Sequence, residues 1–269
     1  MVAPRRPLRD RPREGWQGWD EYAPFYDWEN ARTLGRRDVA FWQRVAGAAG
    51  GKVLELGCGT GRLSVPLVSS GIDLVGVDRS APMLARLQAA RRRSKALRRL
   101  GLVRGDIRAL PFPSHAFSMV MAPYGVLQSL LDDRDLVATL TSVARVLAPG
   151  GAFGIDLVPD VPNWREYDDK VQMRGRGPGG AHFTLIESVR QDPKRRLTTF
   201  TQRYVVERRG RKKEHPFELT FRTLSVRQMT RRLTAAGFLV EAVLGDYRGR
   251  PLDDRSDVWI VLARRRRPL

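Results

Sequence analysis

The chain has few cysteines, few histidines and no long apolar run, and each of these shortages excludes a class of protein. One cysteine stands among 269 residues, so no disulfide can form within the chain and a reducing compartment is expected. The three histidines lie far apart, without the spacing of metal ligands. No apolar run approaches the ~20 residues that a membrane-spanning helix needs. We therefore expect a cytoplasmic protein with no metal site and no membrane partner.

Acidic residues are also scarce beside basic ones, with 29 Asp and Glu against 48 Lys and Arg. The resulting net charge of +19 usually indicates a nucleic-acid partner. The arginines, however, are scattered over most of the chain, and the clusters near its two ends flank the core. This distribution favours a generally basic surface, with nucleic acid as the less favoured partner. The sequence does not indicate an oligomeric state.

Composition divides the chain into four parts. Residues 1–15 are basic and contain several prolines, as in a disordered tail. Residues 16–30 hold three Trp, two Tyr and one Phe, and we interpret them as an aromatic flap on a core domain that spans 16–158. Residues 159–222 are predicted to form a β-rich lid insertion, and 223–269 to complete the core and end in a second basic tail.

Strands and helices alternate in the predicted core. Such alternation implies a parallel sheet with right-handed crossovers, with its ligand at the carboxyl ends of the strands. Hydrophobic periodicity predicts strands at 53–56, 74–78, 101–105, 117–122 and 152–157. It predicts helices near 31–48, 61–70, 81–99 and 133–147.

The insertion has a different pattern, in which runs rich in Thr, Val, Phe and Tyr are separated by turns. A flexible loop is predicted at 173–180, because that stretch is rich in glycine and arginine. Antiparallel strands are predicted at 182–190, 197–207 and 215–223. A helix at 225–236 and strands at 238–244 and 257–263 follow.

A glycine-rich turn follows the first predicted strand. Gly57, Gly59 and Gly61 let the backbone turn tightly and let a ligand approach closely, and a helix that opens near Gly61 presents N–H groups to an anion. Asp78 ends the second strand 21 residues after Gly57, close to the ~20-residue offset at which an acid meets ribose hydroxyls. Arg62 stands where a dinucleotide site needs its last glycine, so NAD and FAD are disfavoured. The turn predicts a site for another nucleotide-like ligand.

The motifs around this turn resemble those of the class I S-adenosylmethionine-dependent methyltransferases. The first motif of that family is similar to ELGCGTG at 55–61, and later ones to GDIRALPF at 105–112 and ARVLAPGGAFGIDL at 144–157. The resemblance covers about 20–158 and 223–265. It implies S-adenosylmethionine as cofactor. It also implies a Rossmann-like, doubly wound sheet of seven mostly parallel strands with the last strand antiparallel, and an added β-rich insertion.

The resemblance assigns roles to individual residues. It implies that Asp78 meets the ribose, that Met83 covers the adenine face with its flexible thioether, and that Asp106 and the backbone of Ile107 meet the adenine edge. Packing or turn formation is the alternative role for Met83 and Asp106. The implied cofactor-binding set comprises Glu55, Gly57, Cys58, Gly59, Gly61, Asp78, Arg79, Met83, Asp106, Ile107, Ala122 and Tyr26.

The fourth predicted strand ends in Met121-Ala122-Pro123-Tyr124. This segment resembles the part of the family's fold that lies nearest to the transferred methyl group. Met121 stands where base N-methyltransferases have an Asn or Asp, and it cannot accept a hydrogen bond from an exocyclic amine as those residues do. Tyr124 and Tyr26 are the candidate catalytic residues, for shaping the acceptor pocket or for proton transfer. We predict methyl transfer to an N or O nucleophile of a small molecule. An RNA methyltransferase and a non-catalytic binding scaffold remain the alternatives.

Overall fold

The computed structural model describes residues 14–33, 37–158, 166–256 and 258–267. Most of the predicted N-terminal tail and the start of the predicted insertion lie outside these residues. Residues 14 and 15, which composition places in the tail, lie a few residues before the first helix. Gly15 packs there against the backbone of Ser129.

Eleven strands and six α-helices are present in the described part of the chain. The strands are β1 Val53–Leu56, β2 Leu74–Asp78, β3 Gly101–Arg104, β4 Phe117–Ala122, β5 Leu147–Leu157, β6 Tyr167–Arg176, β7 His182–Asp192, β8 Leu197–Arg208, β9 Arg211–Arg222, β10 Phe238–Leu244 and β11 Trp259–Arg265. The helices are α1 Trp19–Thr33, α2 Val39–Ala48, α3 Ser64–Ser69, α4 Ala81–Arg93, α5 Asp133–Val146 and α6 Val226–Ala235.

Seven of the strands form one sheet in the order β10-β11-β5-β4-β1-β2-β3. The pairs among β1 to β5 are parallel, and β11 runs antiparallel to both of its neighbours. The central strands are short apolar runs, and all four residues of β1 are buried, as expected for a sheet covered on both faces. The predicted Rossmann-like fold with an antiparallel last strand is confirmed.

Helices cover both faces of this sheet. On one face α5 and α6 contribute Leu140 and Leu233 to a large apolar cluster, and on the other α2 and α4 contribute Trp42 and Leu87. The indole of Trp42 approaches the backbone of β5 so closely that a Cβ at Gly154 would lie 2.8 Å from it. The absence of a side chain at that position therefore lets α2 pack directly on the sheet.

The four remaining strands form an antiparallel sheet in the order β6-β7-β8-β9. The loop predicted at 173–180 is wrong for its first half, because β6 continues to Arg176 and pairs with the beginning of β7. The glycines and arginines of that stretch gave a local signal for a loop. Backbone hydrogen bonds to a neighbouring strand, which local composition cannot show, decide the conformation instead.

The aromatic flap is a helix, and the single helix predicted at 31–48 is confirmed only for 39–48. Most of the flap lies in α1, which ends at Thr33, and α2 begins at Val39. Pro24 lies inside α1 and cannot donate an interior helical hydrogen bond. Packing of the α1 rings against the second sheet offsets this loss, for instance where Phe25 stacks on Tyr204 with ring centroids 4.0 Å apart.

Two other helix boundaries differ from the predictions. The helix predicted at 81–99 ends at Arg93 and is followed by a separate 3-10 turn, Lys95–Arg99. The helix predicted to open near Gly61 begins only at Ser64. The glycine turn is therefore longer than expected, and its backbone groups find partners within the turn and on β2.

Candidate functional site

The glycine turn between β1 and α3 is tied to the end of β2. The backbone N–H of Cys58 donates to the carbonyl of Val77 at 3.1 Å, and that of Gly59 donates to Oδ2 of Asp78 at 2.7 Å. Gly57, Gly59 and Gly61 all have positive φ, between 54° and 91°. The turn requires glycine at these places, because residues with a Cβ rarely adopt this conformation.

Two of these glycines have different surroundings. A Cβ at Gly59 would meet no neighbouring atom closer than 3.9 Å, so the backbone there is open to a ligand. A Cβ at Gly61 would lie 2.3 Å from Cδ1 of Leu87. Gly61 therefore lets α4 pack closely on the turn and does not line the cavity beside it.

Asp78 is held in place by the backbone on either side of it. Its Oδ2 accepts from Gly59, and its Oδ1 accepts from the N–H of Ser80 at 2.8 Å. Burial raises the pKa of Asp78, although these backbone hydrogen bonds oppose the shift. Each carboxylate oxygen can accept a further hydrogen bond, so the group can bind a pair of hydroxyls such as those of a ribose.

A cavity of about 300 Å³ opens above the glycine turn at the carboxyl ends of the parallel strands. Eleven of the thirteen residues predicted for the site line it: Tyr26, Glu55, Gly57, Cys58, Gly59, Asp78, Arg79, Met83, Asp106, Ile107 and Tyr124. Gly61 and Ala122 do not, and Ala122 is fully buried in β4. The topology thus brings together residues from the ends of four different strands.

Ion pairs close one end of this cavity. Asp106 pairs with Arg108 at 2.7 Å and with Arg79 at 3.1 Å, and Arg108 also reaches Asp135 at 3.0 Å. Burial acts to raise the pKa of Asp106, but the hydrogen bonds from Arg108 hold it below its ordinary value. The guanidinium of Arg79 lies 4.4 Å from the ring centroid of Trp16. The sequence did not identify Arg108 or Trp16 as site residues, although Arg108 lies in the GDIRALPF motif and Trp16 in the aromatic flap, because the resemblance assigns no role to either.

The other end of the cavity is formed by the turn after β4. Tyr124 has φ of 61°, an uncommon conformation for a residue with a side chain. Its turn is fixed by Asp156, which accepts from the N–H of Gly125 at 3.1 Å and from the hydroxyl of Tyr247 at 2.9 Å. Such strain, maintained by surrounding contacts, is frequent at functional sites.

Arg62 joins the two candidate catalytic tyrosines. It forms a two-bond ion pair with Asp38, at 2.9 and 2.6 Å, and its guanidinium lies 5.1 Å from the ring centroid of Tyr124. Burial raises the pKa of Tyr26 to about 12, although Arg62 opposes the shift. Burial raises the pKa of Tyr124 as well. Both phenols therefore stay protonated near neutral pH, which favours a positioning role over proton abstraction.

Glu55 is a buried carboxyl group beneath the glycine turn. It is 3% exposed, and the hydroxyl of Ser64 donates a hydrogen bond to it. Burial raises the pKa of Glu55 to about 7, so the group is close to half-ionised at neutral pH. It lines the cavity and can accept a hydrogen bond from a ligand's amino group.

A second cavity of about 220 Å³ lies between α1, the turn after β4 and the second sheet. It shares Trp19, Tyr124, Gly125 and Phe221 with the first cavity. The rings of Trp19 and Phe221 meet edge to face there, with centroids 6.1 Å apart. A ligand in each cavity would therefore meet the other beside Tyr124.

The sheet order and the cavity at the carboxyl ends of its parallel strands define a Rossmann-like protein with a ligand site at the usual place of that fold. Residues 53–151 match the methyltransferase domain family. A demethylmenaquinone methyltransferase of Paenarthrobacter aurescens (strain TC1) is 32% identical over 70% of this chain and 76% of its own. A cypemycin N-terminal methyltransferase of a Streptomyces species is 29% identical over 80% of this chain and 84% of its own. The chain belongs to the class I S-adenosylmethionine-dependent methyltransferases.

The fold agrees with a solved structure of this kind along nearly its full length. The CcbJ methyltransferase of Streptomyces caelestis superposes with a TM-score of 0.76, at 22% identity, over 92% of this chain and 97% of that one. At this identity the likeness concerns the fold alone. Nothing among these similarities supports an RNA methyltransferase or a non-catalytic scaffold.

The first cavity fits the family's cofactor, S-adenosylmethionine. The open backbone at Gly59 admits a close ligand, and Asp78 has acceptor capacity for ribose hydroxyls. Met83 and Ile107 line the cavity with apolar surface that would suit a purine, and Glu55 lines it with an acceptor that would suit an amino group. When bound, the cofactor supplies a methyl group on a sulfonium, which is already an activated leaving group.

The described residues offer neither a metal site nor a membrane-spanning helix. No group of three or more His, Cys, Asp or Glu side chains is arranged there to hold a metal ion. In the same part of the chain, no helix combines the length and the apolar character that crossing a bilayer requires.

Proposed function

We propose that this enzyme methylates an N or O nucleophile of a small molecule held in the second cavity. The observation that carries the proposal is the junction of the two cavities at Tyr124, beside the turn that ends β4. The second cavity is bounded by α1 on one side and by the four-stranded sheet on another. A cavity of about 220 Å³ suits a small metabolite or the terminal group of a larger molecule.

Positioning is the main contribution that the protein makes to this reaction. Methyl transfer from a sulfonium is an in-line displacement, so holding the nucleophile in line supplies much of the rate. The aromatic residues at the junction, Trp19, Tyr124 and Phe221, would orient the acceptor and exclude water. A general base is needed only when the acceptor arrives protonated.

We further propose that residues 159–222 are an insertion that selects the acceptor. The strands β7, β8 and β9 contribute Glu187, Phe200 and Leu219, among other residues, to the wall of the second cavity. The core contributes the turn after β4, which contacts both cavities. In this arrangement the core provides the chemistry and the insertion provides the specificity.

The names of the two relatives leave the acceptor open, since they denote a demethylmenaquinone and a peptide N-terminus. The test is therefore an unbiased search for the acceptor. The purified protein is incubated with methyl-tritiated S-adenosylmethionine and either a protein-free metabolite extract or total RNA from bacterial cells. We expect label in the metabolite fraction, with the product identified by mass spectrometry. Label confined to RNA, with binding that weakens steeply as salt rises, would refute the proposal.

A further inference from the structure

We infer that the nucleophile is an amine, which the second cavity recognises as an ammonium cation through Glu29 and Glu187. The inference depends on the proposed function, because it specifies the acceptor of the same site. It follows from the charge of the cavity wall, from the hydrogen bonds of the two glutamates and from an acceptor atom that lacks a partner.

The wall of the second cavity is acidic in a strongly basic protein. The chain has 48 Lys and Arg, yet none of them, and no histidine, is among the described residues that line this cavity. Two carboxyl groups, Glu29 and Glu187, do line it. A site for an anionic or phosphorylated acceptor would need the opposite charge. The wall therefore favours a cation.

Glu29 lines the second cavity and has no cationic partner among the described residues. The hydroxyl of Tyr204 donates a hydrogen bond to it. Burial raises the pKa of Glu29, hydrogen bonds from Tyr204 and Tyr22 oppose the shift, and the charge of Glu187 adds to it. The charge of Glu29 also reaches Tyr124, whose pKa it helps to raise. A bound cation would relieve the repulsion between the two carboxylates.

Glu187 is 8% exposed and stands directly opposite Gln202, across the β7–β8 pair. All of its hydrogen-bond donors in the described part of the chain are neutral. Nε2 of Gln202 donates at 2.7 Å and Nε2 of Gln172 at 3.0 Å, and the hydroxyl of Tyr167 also donates. A buried carboxylate is costly without a counter-charge. A ligand cation would supply one.

Gln202 adds an acceptor that has no donor. Glu187 can only accept when it is ionised, so the amide of Gln202 must turn its nitrogen towards that carboxylate. The buried Oε1 of Gln202 then has no hydrogen-bond partner within the described residues. Gln202 lines the same cavity. The wall thus presents this acceptor together with two carboxyl groups, and a primary ammonium, with three N–H donors, suits them better than a hydroxyl with one.

Aromatic rings complete the site. Tyr22 and Phe200 line the cavity together with Trp19 and Phe221, which lie at the junction. Ring faces attract cations and pack against the carbon substituents of an amine. A site with carboxylates and aromatic rings together is well suited to an ammonium group on an apolar or sugar-like body.

Glu29 also accounts for the proton that must leave the ammonium before reaction. An ammonium has no lone pair, so it first gives one proton to Glu29, which becomes neutral. The lone pair of the resulting amine forms the new N–C bond to the methyl group, while the electron pair of the C–S bond stays on sulfur. The product leaves as a methylammonium, and Glu29 returns its proton to water. The raised pKa of Glu29 suits it to accept this proton.

The test uses benzylamine and benzyl alcohol, which have nearly the same shape and differ in charge at neutral pH. Binding of each to the full chain, saturated with S-adenosylhomocysteine, is measured by isothermal calorimetry and ligand-observed NMR. We expect benzylamine to bind at least about 10-fold more tightly, as a charge-assisted hydrogen bond would give. Equal affinity, or no detectable binding of benzylamine, would overturn the inference.

Variants assign the preference to the two glutamates. Glu29→Gln and Glu187→Gln should each reduce it several-fold, whereas Glu214→Gln should preserve it, since Glu214 lies on the same sheet but pairs with Arg203 at the surface. A preference unchanged in both cavity variants would refute the assignment. Should a variant not fold, the wild-type comparison of the two probes still decides the inference. Binding of S-adenosylhomocysteine alone tests the methyltransferase site separately.

Discussion

Oδ2 of Asp78 accepts the backbone N–H of Gly59 at 2.7 Å, which links the acid at the end of β2 to the glycine turn after β1. The acid that is expected to bind the ribose therefore also holds the glycine turn that lines the proposed cofactor cavity. The two motifs that the sequence shows 21 residues apart act as one unit in the structure. Loss of either should disturb the other.

Replacing Asp78 should remove most of the affinity for the cofactor product. We expect Asp78→Ala to weaken S-adenosylhomocysteine binding by about 10- to 100-fold, because hydrogen bonds to a charged group contribute about 1.5–3 kcal/mol. Calorimetry measures the affinity. Asp73→Ala is the matched control, since Asp73 is an exposed acid just before the same strand. Equal affinities for the two variants would contradict the assignment of Asp78.

The close packing at Gly61 should appear as a loss of stability. In Gly61→Ala the new Cβ would meet Leu87 at 2.3 Å, and overpacking of this kind costs about 1–3 kcal/mol in addition to backbone strain. Gly71→Ala is the control, because Gly71 also has positive φ but a Cβ there would have no neighbouring atom within 4 Å. Urea unfolding should show the larger loss for Gly61→Ala. Leu87→Ala should recover part of that loss in the double variant, and simple additivity would argue against the contact.

The buried carboxyl of Glu55 should make stability depend on pH. Its pKa is raised from 4.5 to about 7 on folding, so the folded state binds more protons than the unfolded state in this window. This group's contribution to the free energy of unfolding is therefore full below pH 4.5 and is lost as pH rises towards 7, by at most about 1.4 kcal/mol per pH unit. Denaturant unfolding at several pH values measures this slope.

Glu55→Gln should flatten the fall in stability between pH 5 and about 7, because the amide keeps the hydrogen-bonding shape but does not titrate. Glu241→Gln is the control, since Glu241 forms an exposed pair with Arg264 and should leave the slope unchanged. An identical slope in Glu55→Gln and the wild type would show that Glu55 does not carry the dependence.

The hydroxyl of Tyr26 should not act as a base. Burial raises its pKa to about 12, so it stays protonated through the neutral range. With the acceptor that the labelling experiment identifies, we expect Tyr26→Phe to lower kcat by less than about 10-fold and to leave the pH–rate profile unchanged. If the pH dependence of the rate seen in the wild type disappeared in Tyr26→Phe, the phenol would instead be identified as the proton acceptor.

Much of the core could be predicted because its signals are local. Apolar runs such as VLEL at 53–56 form a strand that is buried on both faces, and glycines with positive φ specify the turn that follows. The acid at position 78 lies one βαβ unit further on, at an offset that the fold itself fixes. Eleven of the thirteen expected site residues therefore line one cavity.

The errors occur where distant contacts outweigh local preference. The helix α1 contains Pro24, a residue that ordinarily interrupts a helix. Its aromatic residues pack on a sheet formed more than a hundred residues later. The strand β6 is rich in glycine and arginine near its end and is held by its pairing with β7. Local preference argues against both elements, and tertiary packing overrides it.

Local sequence is sufficient for the parallel sheet, the glycine turn and the acid beside it, because these depend on hydrophobic periodicity and on backbone conformations that glycine alone adopts readily. The second cavity, in contrast, depends on contacts between distant parts of the chain. Glu29 and Tyr204 stand 175 residues apart in the chain and share a hydrogen bond in the wall of this cavity. Packing of α1 against the second sheet brings them together, and the local sequence around either residue does not predict that contact.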